Sequence, residues 1–406
     1  MQKYKVTDEL LEFDLENFLS KYSESDSDKL ILKLKSSWNE NFDLSFLIHQ
    51  LKLYKKCKDK IPSFANTFCW LTPKSYEQAS SELSALYKSS IFKGDKLFSV
   101  CGGLGVDDWA FSKTFSQVIS LDLDEELNKL VRHNFRKLKI ENFKRITTKA
   151  EDFIKEVNNS TYDLIYIDAD RRSDSKKKSF LFENSSPNPL EIISALFEQT
   201  ETILIKLSPL IDLNYCEKII PQISKIFVIS VENEVKEVLL VLSKTNTKQI
   251  ECEIQAVNID PKGISSVFTA FDKKKNCTYI DNGIYFIEPY LSIIKAGLVA
   301  QFSESINAKM ISKNSNFLLS DSLVENSMGR FFKIVSILDF KKSELKKYLA
   351  SNCISKANIS KRNFPLKVDE LRKVLKLKDG GEDYIFFTQN SENKKLVYHC
   401  RKIKSE

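Results

Sequence analysis

Short apolar runs alternate with helix-like segments, without interruption, from Lys96 to Lys244. The runs have the length of buried strands, and the segments between them place apolar residues at helical spacing. A chain that alternates in this way folds as a parallel sheet with helices on both faces. The predicted strands are 97–101, 118–122, 144–148, 163–168, 202–207, 225–231 and 236–242, and the predicted helices are 107–115, 125–137, 151–156, 189–199 and 214–222.

The last two predicted strands are joined only by Glu232 to Val235. This connection is too short for the crossover that parallel neighbours need, so the two strands form an antiparallel hairpin. One antiparallel strand in an otherwise parallel seven-stranded sheet is typical of methyltransferases that use S-adenosylmethionine (SAM). Flavodoxin-like and dinucleotide-binding sheets lack this strand.

The first predicted strand runs into a turn with three glycines, Gly102, Gly103 and Gly105. Glycine adopts positive φ readily and lets a ligand approach the main chain, whose N–H groups can face a polar ligand. A dinucleotide fingerprint needs a further glycine at the position that Asp108 occupies. The SAM turn tolerates a larger residue there, so the spacing favours SAM. A tight turn that holds no ligand is the alternative.

The next predicted strand ends in Asp122, about twenty residues beyond the turn, where folds of this kind accept ribose hydroxyls. We therefore predict that Asp122 binds the cofactor ribose, with Leu123 beside it. The alternative role is a helix N-cap, because Asp122 and Asp124 both precede the predicted helix at 125–137.

Two residues after the third predicted strand are candidates for the adenine site. Enzymes of this class place a polar group on the adenine amine and an apolar group beside the ring. We assign the first role to Asp152 or the main chain and the second to Phe153.

The fourth predicted strand ends in a run of two carboxylates and two guanidiniums, at the edge where open α/β sheets bind their ligands. The candidate catalytic residues are Asp168, Asp170 and Arg171. Asp168 could orient the acceptor or take its proton. Arg171 and Arg172 are suited to bind phosphate in bidentate fashion. An internal Asp–Arg network that only shapes the loop is the alternative.

The remaining strand-end residues complete this edge. Residues 173–179 are expected to form a flexible basic loop, and residues 185–189 a lid. After the fifth predicted strand, Lys206, Ser208 and Pro209 are candidate substrate contacts.

Composition excludes several classes of protein. The eight cysteines are scattered singly and only three histidines accompany them, so we expect neither disulfides nor a metal site. No apolar run approaches membrane length and nothing resembles a signal peptide, so we expect a cytoplasmic protein that does not bind a membrane. The net charge of +7 is concentrated in residues 341–406, which carry +9.

The chain divides into four predicted parts: a helical region at 1–95, the α/β domain at 96–245, a small α/β connecting domain at 250–330 and a ferredoxin-like module of four strands and two helices at 331–406. In the last part Lys361, Arg362 and their basic neighbours could follow a phosphate backbone. A solvated lysine-rich surface is the equal alternative.

Seven blocks of this sequence are similar to a family of bacterial class I SAM-dependent methyltransferases that carry a C-terminal THUMP-like domain. The blocks are 77–82, 101–107, 167–172, 206–209, 288–297, 356–366 and 376–384. The resemblance covers roughly residues 62 to 402 and implies a SAM-dependent enzyme that methylates RNA, ribosomal or transfer. It implies cofactor contacts from the turn and the fourth strand end, namely Cys101, Gly102, Gly103, Gly105, Asp107 and Asp168.

The sequence departs from the family where Ala169 and Asp170 stand in the places of Pro and Ala. A catalytically silent RNA-binding protein therefore stays open, as does a methyltransferase that acts on a protein or a small molecule. An enzyme that uses a nicotinamide cofactor is the least favoured interpretation. The expected reaction is transfer of a methyl group to a nucleobase nitrogen, since no cysteine lies in a motif for covalent attack on a pyrimidine. The sequence does not indicate an oligomeric state.

Overall fold

The computed structural model describes residues 5–38, 40, 42–156, 161–171, 182, 185–245, 251–271, 277–323 and 328–403. The chain forms two units. The first contains residues 1–225 and 236–250, and the second contains residues 226–235 and 251–406. No helix among the described residues is long and apolar enough to cross a membrane.

The first unit begins with a helical region that shares a core with the sheet domain. Its helices are α1 (Asp8–Glu12), α2 (Leu15–Tyr22), α3 (Ser27–Lys35), α4 (Leu44–Lys60), α5 (Pro62–Asn66), α6 (Pro73–Gln78) and α7 (Glu82–Ile91). Their buried side chains form one cluster with Trp109 and Phe135 of the sheet domain. Asn134 fixes this junction, because its side-chain amide exchanges two hydrogen bonds with the main chain of Trp70, at 2.8 and 2.9 Å. Helices α1 to α7 thus pack against the α/β domain.

The sheet of the first unit has the predicted topology. Its strands are β1 (Gly94–Val100), β2 (Phe115–Asp122), β3 (Phe143–Thr147), β4 (Leu164–Ile167), β7 (Thr202–Leu207), β9 (Glu234–Ser243) and the start of β8 (Ile223–Val231), which continues into the second unit. A separate short pair joins β5 (Asp170–Arg171) to β6 (Ser185–Ser186). The intervening helices are α8 (Val106–Phe111), α9 (Glu125–Lys137), α10 (Ala150–Glu156), α11 (Pro189–Leu196) and α12 (Leu213–Ile219).

The order of the strands is β3-β2-β1-β4-β7-β9-β8. All pairs from β3 to β7 are parallel, and β9 runs antiparallel to β7. The first residues of β8 lie beside the end of β9, where the Ser243 amide donates to the carbonyl of Gln222 at 3.0 Å. The antiparallel strand predicted from the short connection is therefore confirmed.

The second unit contains two groups of strands. The end of β8 lies beside β10 (Glu253–Ile259), which pairs with β11 (Ser265–Ala270). A seven-stranded sheet, in the order β13-β14-β12-β15-β18-β17-β16, contains β12 (Tyr285–Pro289), β13 (Lys309–Met310), β14 (Leu318–Ser320), β15 (Gly329–Asp339), β16 (Asn358–Lys361), β17 (Asp383–Gln389) and β18 (Lys395–Lys402). The helices are α13 (Leu291–Ala296), α14 (Val299–Ser305), α15 (Lys342–Ser351) and α16 (Val368–Leu375).

The predicted parts 250–330 and 331–406 contribute strands to one sheet rather than to two. The part 331–406 contains two helices and four strands, as predicted, but its second strand, β16, begins only at Asn358, the last residue of the strand predicted at 354–358. Strands β16 and β17 form a parallel pair connected through α16. The hydrophobic face of α15 and α16 covers one side of β17 and β18. A cluster rich in aromatic side chains, including Phe286, Phe332 and Phe386, lies on the other side.

This sheet curves so strongly that its distant strands meet. Strands β12 and β16 are four steps apart, which is about 19 Å in a flat sheet. The Glu288 carboxylate on β12 nevertheless accepts hydrogen bonds from Ser360 Oγ on β16 and from Arg362 Nη2, both at 3.2 Å. Arg362 also donates to the carbonyls of Asn316 and Pro289 and lies over the ring of Phe317.

Glu288 therefore joins two distant strands of the curved sheet. We call its contacts with Ser360, Arg362 and Arg330 the Glu288 clasp. Its other oxygen accepts from Arg330 Nε at 2.8 Å, so one buried carboxylate holds two guanidiniums. Arg362 was a candidate RNA contact in the sequence, but its side chain is only 14% exposed and is fully engaged inside the unit. We assign it a structural role.

Glu288→Gln should destabilise the protein by about 3–5 kcal/mol, because it removes the charge that compensates a buried guanidinium. The measurement is urea unfolding of the full chain. Glu344→Gln is the matched control: its pair with Lys341 is exposed, and its loss should cost less than about 1 kcal/mol. Equal stability of the two variants would contradict the clasp.

Candidate active site

The ends of three adjacent strands bring the glycine turn, Asp122 and Asp168 to one edge of the sheet. The Gly102 amide, just beyond β1, donates to the carbonyl of Leu121 on β2 at 2.9 Å. On the other side, the Asp168 amide donates to the carbonyl of Val100 at 3.1 Å. The glycine turn therefore lies between Asp122 at the end of β2 and Asp168 at the end of β4.

The three glycines of the turn are needed for three different reasons. Gly105 has a φ of 84°, and a Cβ there would lie 2.8 Å from the Phe135 ring. Gly102 is enclosed, since a Cβ would lie 2.2 Å from both Arg145 Nη1 and Ser120 Oγ. Gly103 has a φ of 51°, yet a Cβ there would meet nothing within 4 Å. Only Gly103 thus faces open space, and the other two glycines serve the packing of the turn.

A buried ion pair that was not predicted, Arg145 with Asp108, lies under the glycine turn, with Arg145 Nη2 3.9 Å from Asp108 Oδ2. Arg145 on β3 donates from Nη2 to the carbonyl of Gly103 at 2.7 Å and from Nη1 to Ser120 Oγ at 3.1 Å. Ser120 donates in turn to Asp108 at 2.6 Å. Burial raises the pKa of Asp108, although Arg145 opposes this effect. A charged residue in the middle of a predicted strand was the available signal for Arg145.

Asp122 holds the turn from the other side. Its Oδ2 accepts from the Gly103 amide at 2.9 Å and its Oδ1 accepts from the Asp124 amide at 3.0 Å. The helix N-cap is Asp124, whose carboxylate accepts from the Leu127 amide. The alternative role considered for Asp122 therefore belongs to its neighbour. Leu123, between them, is 61% exposed.

Asp107, in the first turn of α8, is the centre of a buried polar cluster. Its Oδ2 accepts from Tyr166 OH at 2.7 Å and from Ser80 Oγ at 2.8 Å, and its Oδ1 lies 2.9 Å from Lys88 Nζ. Burial would raise the pKa of Asp107, but Lys88 and Lys206 outweigh burial and hold that pKa well below its ordinary value.

Lys206 connects this cluster to Asp168. Its Nζ lies 2.6 Å from Asp168 Oδ2 and 3.6 Å from Asp107 Oδ2. Burial alone would lower the pKa of Lys206, but Asp168, Asp107 and Glu237 together raise it well above its ordinary value. Burial raises the pKa of Asp168, and Lys206 only partly offsets this effect. The Asp168 side chain is 32% exposed, so it is accessible at the edge of the sheet.

Lys88 and Glu237 belong to the same cluster and were not predicted. Lys88 on α7 is completely buried, with its Nζ 2.8 Å from Glu237 Oε1 on β9. Ser84 donates to the same carboxylate at 2.6 Å. Buried lysine and glutamate pairs look like surface charges in a sequence, and these two are separated by 149 positions. No local pattern identifies them.

The block 77–82 has a mainly structural role. Glu82 accepts from the amide and hydroxyl of Ser63 at the start of α5, and Ser81 is the N-cap of α7. Ser80 reaches the site through its hydrogen bond to Asp107. Nearby, Lys60 Nζ donates to the carbonyl of Tyr76 at 2.7 Å. Burial and the charges of Lys206 and Lys236 lower the pKa of Lys60 to about 8.

The other candidate residues are placed as follows. Cys101 is half-buried, and its thiol lies 3.6 Å from the carbonyl of Ser186. Phe153 packs on the Phe98 ring at 5.2 Å between centroids, and Asp152 is exposed.

Among the candidate substrate contacts, Ser208 and Pro209 are half-buried beside Lys206. Asp170 and Arg171 lie in β5, whose main chain alone is described, and Arg172 and the basic loop 173–179 lie outside the described residues. Lys361 donates to the carbonyl of Phe364. No group of three or more potential metal ligands occurs in the described part of the chain.

Comparison with a family model decides the nature of the C-terminal module. Residues 329–402 match the family described as THUMP domain-like. These residues form a THUMP-like domain. The THUMP-like domain comprises β15 to β18 with α15 and α16. Its four strands follow β12 in the sheet and end at β16, so they are the strands across which the Glu288 clasp reaches.

The whole chain shares its fold with a solved structure. That structure is a candidate methyltransferase from Porphyromonas gingivalis W83, with a TM-score of 0.84 and 24% identity, over 98% of this chain and 100% of that chain. At this identity the match shows the fold, a Rossmann-like methyltransferase fold with a THUMP-like domain. No curated protein sequence matches this chain.

Two partial matches are structures in complex with S-adenosylhomocysteine (SAH). One is TrmK from M. capricolum, with a TM-score of 0.32 and 12% identity, over 42% of this chain and 70% of that chain. The other is a candidate methyltransferase from Streptococcus mutans, with a TM-score of 0.30 and 17% identity, over 40% of this chain and 96% of that chain.

Gly102→Ala should destabilise the protein far more than Gly103→Ala. The first substitution forces a Cβ into the buried Arg145 and Ser120 side chains, whereas the second costs only the left-handed strain of about 1–2 kcal/mol. Thermal unfolding of both variants against the parent chain is the measurement. A Gly102→Ala protein as stable as Gly103→Ala would show that the turn is not held by the Arg145 side chain.

Proposed function

We propose that this protein is a SAM-dependent methyltransferase that transfers a methyl group to a nucleobase nitrogen of RNA. The observation that carries the proposal is the placement of Gly103, Asp122 and Asp168 at one edge of the sheet, across the ends of β2, β1 and β4. Open α/β sheets bind ligands at this edge. The shared methyltransferase fold supports the same conclusion.

The residues at this edge fit a nucleoside that carries a positive charge. Each oxygen of Asp122 accepts one hydrogen bond within the protein, and carboxylate oxygens can accept more, so capacity remains for ribose hydroxyls. The open space at Gly103 allows a ligand to approach the main chain. The buried cluster of Asp107, Asp168, Glu237, Lys88 and Lys206 carries one excess negative charge, which favours a cationic ligand.

The proposed roles follow from these positions. Asp122 would bind the ribose, and Leu123 would cover the base. When bound, SAM supplies an electrophilic methyl group. The protein contributes mainly orientation, which is worth up to roughly 7–11 kcal/mol in well-aligned reactions. Asp168 would orient the acceptor nitrogen and receive its proton, and Lys206 would hold the Asp168 carboxylate in place.

The THUMP-like domain and the basic C-terminal region support RNA as the substrate. Three lysines of this region, Lys356, Lys373 and Lys376, are exposed on the second unit. Cations of this kind provide much of the affinity for a phosphate backbone.

The decisive experiment is incubation of the full chain with labelled SAM and with RNA from a strain that lacks this protein, followed by nucleoside mass spectrometry. A new methylated base supports the proposal, and label on protein only would contradict it.

Asp122→Ala should weaken SAH binding by tenfold or more in calorimetry, at the level of one or two hydrogen bonds to a charged group. Asp124→Ala is the matched control. It removes the neighbouring carboxylate and the N-cap of α9, which costs about 1 kcal/mol of stability, but it should leave SAH affinity unchanged.

Asp168→Asn should retain SAH binding and lose methyl transfer by a factor of about 10²–10⁴, the range of general acid–base catalysis. The measurement is turnover of labelled SAM beside calorimetry of the same sample. Unchanged turnover would remove Asp168 from the mechanism.

Replacing Lys356, Lys373 and Lys376 together by Gln should weaken RNA binding and reduce the slope of log affinity against log salt by about 2, since each phosphate contact contributes about 0.7 for single strands. A matched control replaces the exposed Lys55, Lys56 and Lys58 of the first unit by Gln. Equal effects of the two triple substitutions would indicate attraction by net charge alone.

A further inference from the structure

Five charged side chains of alternating sign form a chain from the interior of the first unit to the edge of the sheet. Glu237, Lys88, Asp107, Lys206 and Asp168 follow one another with nitrogen–oxygen distances of 2.8, 2.9, 3.6 and 2.6 Å. They come from five elements, β9, α7, α8, β7 and the end of β4. We call this arrangement the charge chain.

The interior members of the charge chain are buried, and exposure is highest at Asp168. The side chains of Glu237 and Lys88 are 3% and 0% exposed, those of Asp107 and Lys206 are 9% and 12%, and that of Asp168 is 32%. Only Asp168 is therefore widely accessible to a substrate. The other four members are mostly buried, and each is close enough to influence its neighbour in a medium of low dielectric constant.

We propose that Lys88 and Glu237 are positioning residues that set the proton affinity of Asp168 through Asp107 and Lys206. The proposal rests on the proposed function in one respect, that Asp168 receives a proton from the acceptor. The physical basis is competition, because Lys206 is shared between Asp168 and Asp107, and Lys88 is shared between Asp107 and Glu237.

The competition predicts that loss of Lys88 and loss of the Glu237 charge shift the proton affinity of Asp168 in opposite directions. Without Lys88, Asp107 has only one cationic partner and draws Lys206 away from Asp168, so Asp168 binds its proton more tightly. Without the charge of Glu237, Lys88 is fully available to Asp107, so Lys206 turns to Asp168 and weakens its proton binding. If Lys88 and Glu237 had only a structural role, either substitution would loosen the cluster, and the titration midpoint of Asp168 would shift in the same direction in both variants.

Other groups around the chain modulate these charges but do not replace them. Tyr166 and Ser80 donate to Asp107, and Ser84 donates to Glu237. Lys60 is a further cation near Lys206, and Lys236 lies near Lys60. All of them are unchanged in the variants Lys88→Met and Glu237→Gln.

The test is a pH titration of Asp168 in the full chain. The protein is labelled with ¹³C at the aspartate carboxyl groups, and the Asp168 signal is assigned by its loss in Asp168→Asn. Lys88→Met should move the titration midpoint of Asp168 upward by about 0.5 pH unit or more, and Glu237→Gln should move it downward. Lys52→Met, which removes an exposed lysine paired with Asp28, is the control and should leave the midpoint unchanged.

A milder variant guards against loss of folding in Lys88→Met. Tyr166→Phe keeps the ring and removes only the hydroxyl that donates to Asp107, so it should also move the Asp168 midpoint upward, by a smaller amount. An upward shift in Tyr166→Phe with a downward shift in Glu237→Gln supports the charge chain. Shifts in the same direction, or no shift in either variant, would overturn it.

The titration uses the protein without RNA, so its result does not depend on turnover. If the full chain methylates no RNA, the proposed function fails while the titration still reports on the charge chain. If turnover is observed, the acid limb of its pH profile should shift in the same directions as the Asp168 midpoint.

Discussion

The buried carboxylate of Asp107 is the interaction on which the candidate site depends. Taking an ion out of water costs several kcal/mol unless it is paired and hydrogen-bonded. Asp107 meets this requirement with Lys88, Lys206, Ser80 and Tyr166, which come from four other parts of the first unit. The same contacts therefore fix the helix before the glycine turn, the helix after it and two central strands.

A second buried ion pair, Arg145 with Asp108, supports the glycine turn. Arg145 holds the carbonyl of Gly103, while Asp122 accepts from its amide. The peptide groups on both sides of Gly103 are thus anchored, which leaves its Cα facing open space. A ligand that approaches this point meets a main chain that is already ordered, so less conformational entropy is lost on binding.

The features of the fold that depend on a local sequence pattern could be predicted from the sequence. The seven predicted strands correspond to β1, β2, β3, β4, β7, β8 and β9, each within three residues of its predicted limits, because buried strands and amphipathic helices have distinct periods. The short strands β5 and β6 were not predicted. Asp122 and Asp168 could be identified because the ends of parallel strands meet at one edge. Lys88, Glu237 and Arg145 could not, since a buried charge differs from a surface charge only in its distant partners.

Arg362 shows the converse error, since a residue that was predicted to be a surface cation is mostly buried. In the sequence it belongs to a basic cluster, and a basic cluster is typical of a surface that binds phosphates. The curvature of the seven-stranded sheet instead brings it to Glu288, which lies 74 positions earlier in the chain. No pattern within residues 356–376 contains that information.

The most direct test of this account is a crystal structure of the full chain grown with SAH. The account predicts density for the nucleoside at the edge formed by Gly103, Asp122 and Asp168, with the ribose hydroxyls on the Asp122 carboxylate. A nucleoside bound elsewhere, or an edge filled by the protein's own side chains at saturating SAH, would contradict it.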